Sequence, residues 1–136
     1  MIIYSEIDIK VSPSGDMTLG ANKDFELANP SGVLKQDIAF RLRTDYNDFT
    51  PHPDIGADLN SLIGEPNVRE TANNGELRII NSLTKDGRVA ASDLLVKAVP
   101  ISLYNLVYYV FVRDGKAVLN MTPDFSVDLN RGIISY

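Results

Sequence analysis

The chain has no cysteine and no tryptophan, and only one histidine in 136 residues. Without cysteine it forms no disulfide, no thiolate metal site and no cysteine nucleophile. A lone histidine cannot assemble a zinc site of the usual kind. His52, held between Pro51 and Pro53, reads as a surface residue on a stiff turn. Basic charge is also scarce: 13 Lys and Arg against 18 Asp and Glu leave a net charge of -5 with no basic stripe, which argues against a nucleic-acid partner. Long apolar runs are missing as well. The longest, LVYYVFV at 106–112, is far too short to cross a bilayer, and the opening MIIYSEIDIKV carries Glu6 and Asp8 where a secretion leader would be apolar. The expectation is a soluble, unexported protein with no membrane partner, long enough for one domain with its own core. There is no glycine-rich phosphate loop with a following lysine and no GxSxG elbow, so neither a nucleotide cofactor nor a serine hydrolase is indicated.

Ile7, Ile9 and Val11 alternate with Glu6, Asp8 and Lys10, the pattern of a strand with one wet face. SPSGD then turns the chain, and Met17, Leu19, Phe25 and Leu27 suggest a short second ladder. Ser31 is placed to cap a helix over 33–42, with Leu34, Ile38 and Leu42 as its buried stripe. Residues 43–53 read as a loop. Asp54 is placed to cap a second, short helix carrying Ile55, Leu59, Leu62 and Ile63 and ending at Gly64. Asn67 with Glu70 resembles a capping box for a third helix that buries Ile79, Ile80 and Leu83, its middle weakened by Asn73, Asn74 and Gly75.

Strands are expected at 94–99 and 106–112, the second central and covered on both faces, with Asp114-Gly115 closing a hairpin onto 117–121. Phe125, Val127 and Leu129 alternate with Ser126 and Asp128, so 125–129 reads as an outermost strand with the polar pair facing solvent, before Asn130-Arg131-Gly132 leads into the tail IISY. No repeat, linker or second domain is evident. The order of elements predicts one α+β domain over 1–136, with three helices packed on a small, mostly antiparallel sheet formed by the C-terminal strands.

Asp54 and Asp58, one turn apart on the expected second helix, would hold their β-carbons roughly 5–6 Å apart, a spacing compatible with a carboxylate pair. A capping Asp ahead of a polar helix face gives the same pairing, so a solvated helix face is the favoured reading. The aromatic residues Tyr104, Tyr108, Tyr109 and Phe111 fall at strand spacing and read as core. No cofactor and no metal is expected, and the residues point to binding rather than turnover.

Taken in order, SGDM at 14–17, KDFELA at 23–28, LKQDIAFRLRT at 34–44, FTPHPDIGADLNSLIGEPN at 49–67 and ELRIINSLTKDGRV at 76–89 resemble the baseplate wedge and sheath-initiator family of contractile phage tails. Relatives of that family occur in type VI secretion baseplates. Asp16, Gln36, Leu42, Thr44, Pro53, Gly56, Leu59 and Gly64 stand where the family pattern has comparable residues. The family carries a Glu-Pro-Arg signature at the end of its last helix, and the matching place here reads Asp86-Gly87-Arg88, with glycine in place of proline. Glu65-Pro66 looks similar but lies after the wrong helix and reads as a connection.

The resemblance implies a structural protein of the virion tail baseplate, present in the host cytoplasm during assembly. Its expected partners are the helical core-bundle proteins of the wedge, through Asp86 and Arg88, and the tail sheath protein, through strand addition. On that expectation Phe125, Val127 and Leu129 form the receiving edge, with 7–11 as the competing edge. The alternative is a lysozyme-like tail enzyme that cleaves peptidoglycan with Asp54, Asp58 or Glu65.

Overall fold

The computed structural model describes residues 7–12, 15–87, 89–114, 117–120 and 125–135. The elements run β1 (Asp8–Ile9), β2 (Leu27–Ala28), α1 (Pro30–Arg43), α2 (Arg69–Thr84), β3 (Leu94–Pro100), β4 (Asn105–Asp114), β5 (Ala117–Asn120), β6 (Phe125–Asp128) and β7 (Gly132–Ser135). The α+β class is as expected, but the described residues contain two α-helices, not three.

α1 starts earlier than the sequence suggested. Asn29, not Ser31, is its cap, and the Asn29 side chain accepts from the Gly32 amide at 2.7 Å. Pro30 follows at a position whose amide would have no acceptor in any case. Leu34, Ile38 and Leu42 are buried, as their spacing requires. The expected second helix is absent: residues 45–58 are turns and bends, and only a 3-10 helix, Leu59–Leu62, follows. Gly56 at φ 103° and Asp58 in the left-handed region at φ 53° interrupt any right-handed helix there. The loop instead serves α1. The Ala57 amide donates to the Arg41 carbonyl and the Asp58 amide to the Thr44 carbonyl, supplying partners that the last turn of a helix lacks.

α2 begins at Arg69 without a side-chain cap, and the Asn67 side-chain amide donates to the Ser102 carbonyl instead of capping. Gly75 in its middle has a packing reason, because a Cβ there would overlap the Tyr108 hydroxyl of β4. Its cost in helix propensity, about 1 kcal/mol, lets α2 close on the sheet. The buried Tyr108 hydroxyl reaches the Ala72 carbonyl at 3.4 Å. Burial, and secondarily the charge of Glu76, push that phenol well above its ordinary pKa.

The five-stranded sheet is antiparallel, in the order β3-β4-β6-β7, with β5 beside the C-terminal half of β4. β4 is central, as expected. Its residues Leu106, Tyr108, Val110 and Val112 face the helices and are fully buried. They join Leu34, Ile38, Leu42, Leu59, Ile79 and Leu83 in one apolar cluster, where each fully buried aliphatic chain contributes about 1.5–3 kcal/mol. The opposite face is not covered in the way the sequence suggested. Tyr109 is 38% exposed there, beside Leu95 and Val99, which are also exposed.

Residues 125–129 are not an outermost strand. β6 lies between β4 and β7, with Val127 opposite both Leu106 and Ile133. The residues read as a tail form β7 because Gly132 turns a tight hairpin and Ile133 pairs next to the core. Ser126, expected on a solvated face, is buried, and so are Val127 and Leu129.

Residues 7–11 belong to a separate unit and not to the main sheet. Here a repeat emerges that the linear reading did not show. Asp8-Ile9-Lys10-Val11, Asp16-Met17-Thr18-Leu19 and Asp24-Phe25-Glu26-Leu27 recur every eight residues. The hydrogen bonds repeat with them. Ser12 donates to the Asp16 carbonyl and Gly20 to the Asp24 carbonyl, Gly15 to Ser12 and Lys23 to Gly20, and Gly15 and Lys23 share a positive φ. The three arms close on each other: the Lys10 amide donates to Glu26, that of Glu26 to Thr18, and that of Thr18 to Lys10, at 2.8, 3.0 and 3.4 Å.

Candidate partner-binding site

The C-terminal end of α2 is built around Arg41 of α1. Its guanidinium donates to the Ser82 carbonyl at 2.9 Å and to both carboxylate oxygens of Asp86 at 3.0 and 2.6 Å. Asp37 lies 3.6 Å away on the same helix. Burial lowers the pKa of this guanidinium, but the hydrogen bond to Asp86 and the charges of Asp37 and Asp86 outweigh it, so the net direction is upward. Asp86, expected to meet a partner, is thus first of all an internal anchor for α1. Its side chain nevertheless remains half exposed. Arg88 lies outside the described residues. Gly87 has φ 77°, a region that proline cannot adopt, so the turn differs from the one a Glu-Pro-Arg sequence would impose. A groove of about 1110 Å³ runs from this end along α1 to the N-terminal unit, lined by Lys10, Glu26, Gln36, Phe40, Arg41 and Asp86.

The two sides of the main sheet differ. On β3, strand alternation turns the amides of residues 94, 96 and 98 outward. That of Leu94 donates to the Ala91 carbonyl, that of Ala98 to Glu76 Oε1 at 2.9 Å, and Pro100 has no donor. Only Val96, itself buried, keeps an outward amide there. On the other side Asn60 Oδ1 accepts from the Ile133 amide of β7 at 3.0 Å. β5 has no strand beyond it among the described residues.

The carboxylates of the middle loop do not form a pair on one helix turn. Asp54 is exposed and binds Lys85 at 2.5 Å, a hydrogen bond that holds its pKa below the ordinary carboxylate value. Asp58 is not solvated, as had been expected, but largely covered; it accepts from the Tyr46 amide at 3.2 Å and meets Arg78 at 3.5 Å. Glu65 is exposed just beyond the 3-10 helix. His52 is exposed and stacks on Phe49 with ring centres 5.9 Å apart. No group of three or more His, Asp or Glu suited to a metal occurs among the described residues. No helix among them is long and apolar enough to cross a membrane.

Several structural roles escaped the sequence reading. Arg41 carries a signal that could have found it: it falls three residues after Ile38, inside the buried stripe of α1, where a charge requires partners. Glu76 carries none, because its partner is a backbone amide on a strand 22 residues away. Gln36, noted only as a pattern match, accepts from the Val11 amide and donates to the Ile9 carbonyl at 3.2 and 3.1 Å. Its carboxamide thereby pairs with the edge of the first arm and ties the N-terminal unit to α1. The chain matches no protein-family model, no curated protein and no solved structure.

Proposed function

We propose that this chain is a structural baseplate component of a contractile tail or a related injection machine, joining the wedge to the first sheath ring by strand addition. It acts as a mechanical joint and not through turnover. The observation that carries the reading is the unequal state of the sheet's edges: β3 is closed by Ala91, Glu76 and Pro100, whereas β5 has no neighbouring strand on its outer side among the described residues. A sheet edge left unpaired is the template that strand addition needs, and main-chain hydrogen bonds then supply strength without a dedicated pocket. The receiving strand is Ala117–Asn120, in place of 125–129, because β7 occupies the side of β6 away from β4. A wedge contact at Asp86 draws support from its half-exposed carboxylate, which lines the groove.

The test is hydrogen exchange on the chain alone and mixed with the sheath subunit of the particle that carries it. Protection gained over 117–120 is the expected result. Protection gained over 94–100 instead moves the joint to the edge held here to be closed, and absence of any complex removes the reading.

A further inference from the structure

Among the described residues an asparagine or aspartate stands directly before glycine twice, at Asn74-Gly75 and at Asp86-Gly87. Such pairs are chemically labile. Glycine has no side chain to hinder its amide nitrogen, which can turn onto the carbonyl carbon of the preceding side chain. The two pairs sit in different surroundings. Asn74-Gly75 lies in the interior of α2, where helical hydrogen bonds hold the backbone and Gly75 packs against Tyr108. Asp86-Gly87 lies beyond Thr84, the last residue of α2, with Gly87 at φ 77° and open space where its Cβ would be. The Asp86 side chain is 53% exposed, so water reaches it.

Two contacts keep the reacting atoms of this second pair apart. Arg41 donates to both carboxylate oxygens of Asp86, at 3.0 and 2.6 Å, which aims the carboxyl at α1 and favours its ionised form, a poor electrophile. The Gly87 amide donates to the Thr84 carbonyl at 3.1 Å and so points away from the group it would attack. Arg41 is buried and is held in turn by the Ser82 carbonyl.

We infer that Asp86-Gly87 is a site of self-modification that Arg41 holds shut. When the guanidinium lets go, the Gly87 nitrogen bonds to Cγ of Asp86, the amide proton and a carboxyl oxygen leave as water, and a succinimide ring closes. Water then opens the ring at either carbonyl. One opening restores aspartate. The other gives isoaspartate, in which the main chain runs through Cβ and the free carboxylate sits on Cα. The sum of the steps is an isomerisation that consumes no oxidant, reductant or cofactor. Its product cannot rebuild the fork, because the carboxylate is shorter and the lengthened main chain displaces it. Arg41 is then left buried without its bidentate partner, and α1 loses its anchor at the end of α2. Arg41 is in this sense a positioning residue for Asp86, and the inference is independent of the tail reading.

The experiment ages the full chain at neutral pH, below its melting transition, as wild type, as Arg41→Met and as wild type unfolded in urea. Isoaspartate at 86 is measured in digests by separation of the peptide isomers and by enzymatic methylation. Deamidation of Asn74 in the same digests reports opening of α2 as a whole, and melting curves verify folding. Arg41→Lys, which keeps the charge without the planar fork, is the second choice should Arg41→Met fail to fold. Folded wild type should isomerise at 86 at least about tenfold more slowly than the unfolded chain. Either variant should speed the reaction at 86 and leave Asn74 unchanged. A folded wild type that isomerises as fast as the unfolded chain overturns the inference, as does a variant with an unaltered rate at 86. Acceleration at 86 and 74 alike overturns it too, because Arg41 would then act only by holding the fold together.

Discussion

The three-arm unit at 8–27 and the sheet at 94–135 are written in the same alternation of apolar and polar residues, yet only the sheet buries its apolar face. In the sheet, Leu106, Tyr108, Val110 and Val112 join the apolar residues of the helices and vanish from solvent. In the three-arm unit Ile9, Met17, Leu19, Phe25 and Leu27 point out, while Lys10, Thr18 and Glu26 satisfy one another beside α1. Alternation says that a segment is a strand. Whether the apolar face is buried is decided by what lies beside it: a helix with an apolar stripe covers that of the sheet, whereas the three-arm unit borders a groove with polar lining. The sheet should therefore hold most of the stability of the fold, and the three-arm unit little of it.

Substitutions separate the two regions. Leu42→Ala, in the core shared by α1 and the sheet, should cost about 2–5 kcal/mol in denaturant unfolding, because it leaves a cavity in a fully buried site. Gly75→Ala should cost about 1–3 kcal/mol despite raising helix propensity, since its Cβ meets the Tyr108 hydroxyl. A gain in stability there would show that α2 and β4 are not so closely packed. Gln36→Ala should leave the sheet within about 1 kcal/mol of wild type while amides of residues 8–28 exchange faster. Leu19→Ser, at a site 64% exposed, should move stability by no more than about 0.5 kcal/mol.

The smallest effect is local. Lys85 holds the Asp54 carboxyl below its ordinary pKa, so the folded state favours the ionised form. Any contribution from that pair is present above the ordinary carboxylate pKa and disappears as pH falls through the depressed folded value. Lys85→Met should shift the Asp54 titration upward in NMR, with no measurable change in melting, because the pair is exposed.

Much of the scaffold was legible. Leu34, Ile38 and Leu42 on α1, Ile79 and Leu83 on α2, and the central place of β4 all follow from spacing that burial then confirms. What escaped was decided by partners distant in sequence or by backbone geometry. The second helix fails at Gly56 and Asp58, whose positive φ follows the need of the α1 carbonyls for donors. The edge position of 125–129 fails because IIS in the tail pairs as β7, and four residues are too few to announce a strand. The octad repeat was hidden because Ile9, Met17 and Phe25 share a role without sharing an identity, and because SPSG, GANK and ANPS between the arms look unrelated. At the candidate site Asp86 was picked for its position after the last helix. Its tie to Arg41 was not readable, since 45 residues separate them.

Native-state hydrogen exchange, followed amide by amide, tests the contrast most directly. The amides of Lys10, Thr18 and Glu26 close the three-arm unit, and those of Tyr108, Val110 and Val112 lie in the central strand. The first group should exchange through local opening, insensitive to low denaturant, while the second should exchange only through global unfolding. Equal protection and equal denaturant dependence in both groups would contradict this contrast.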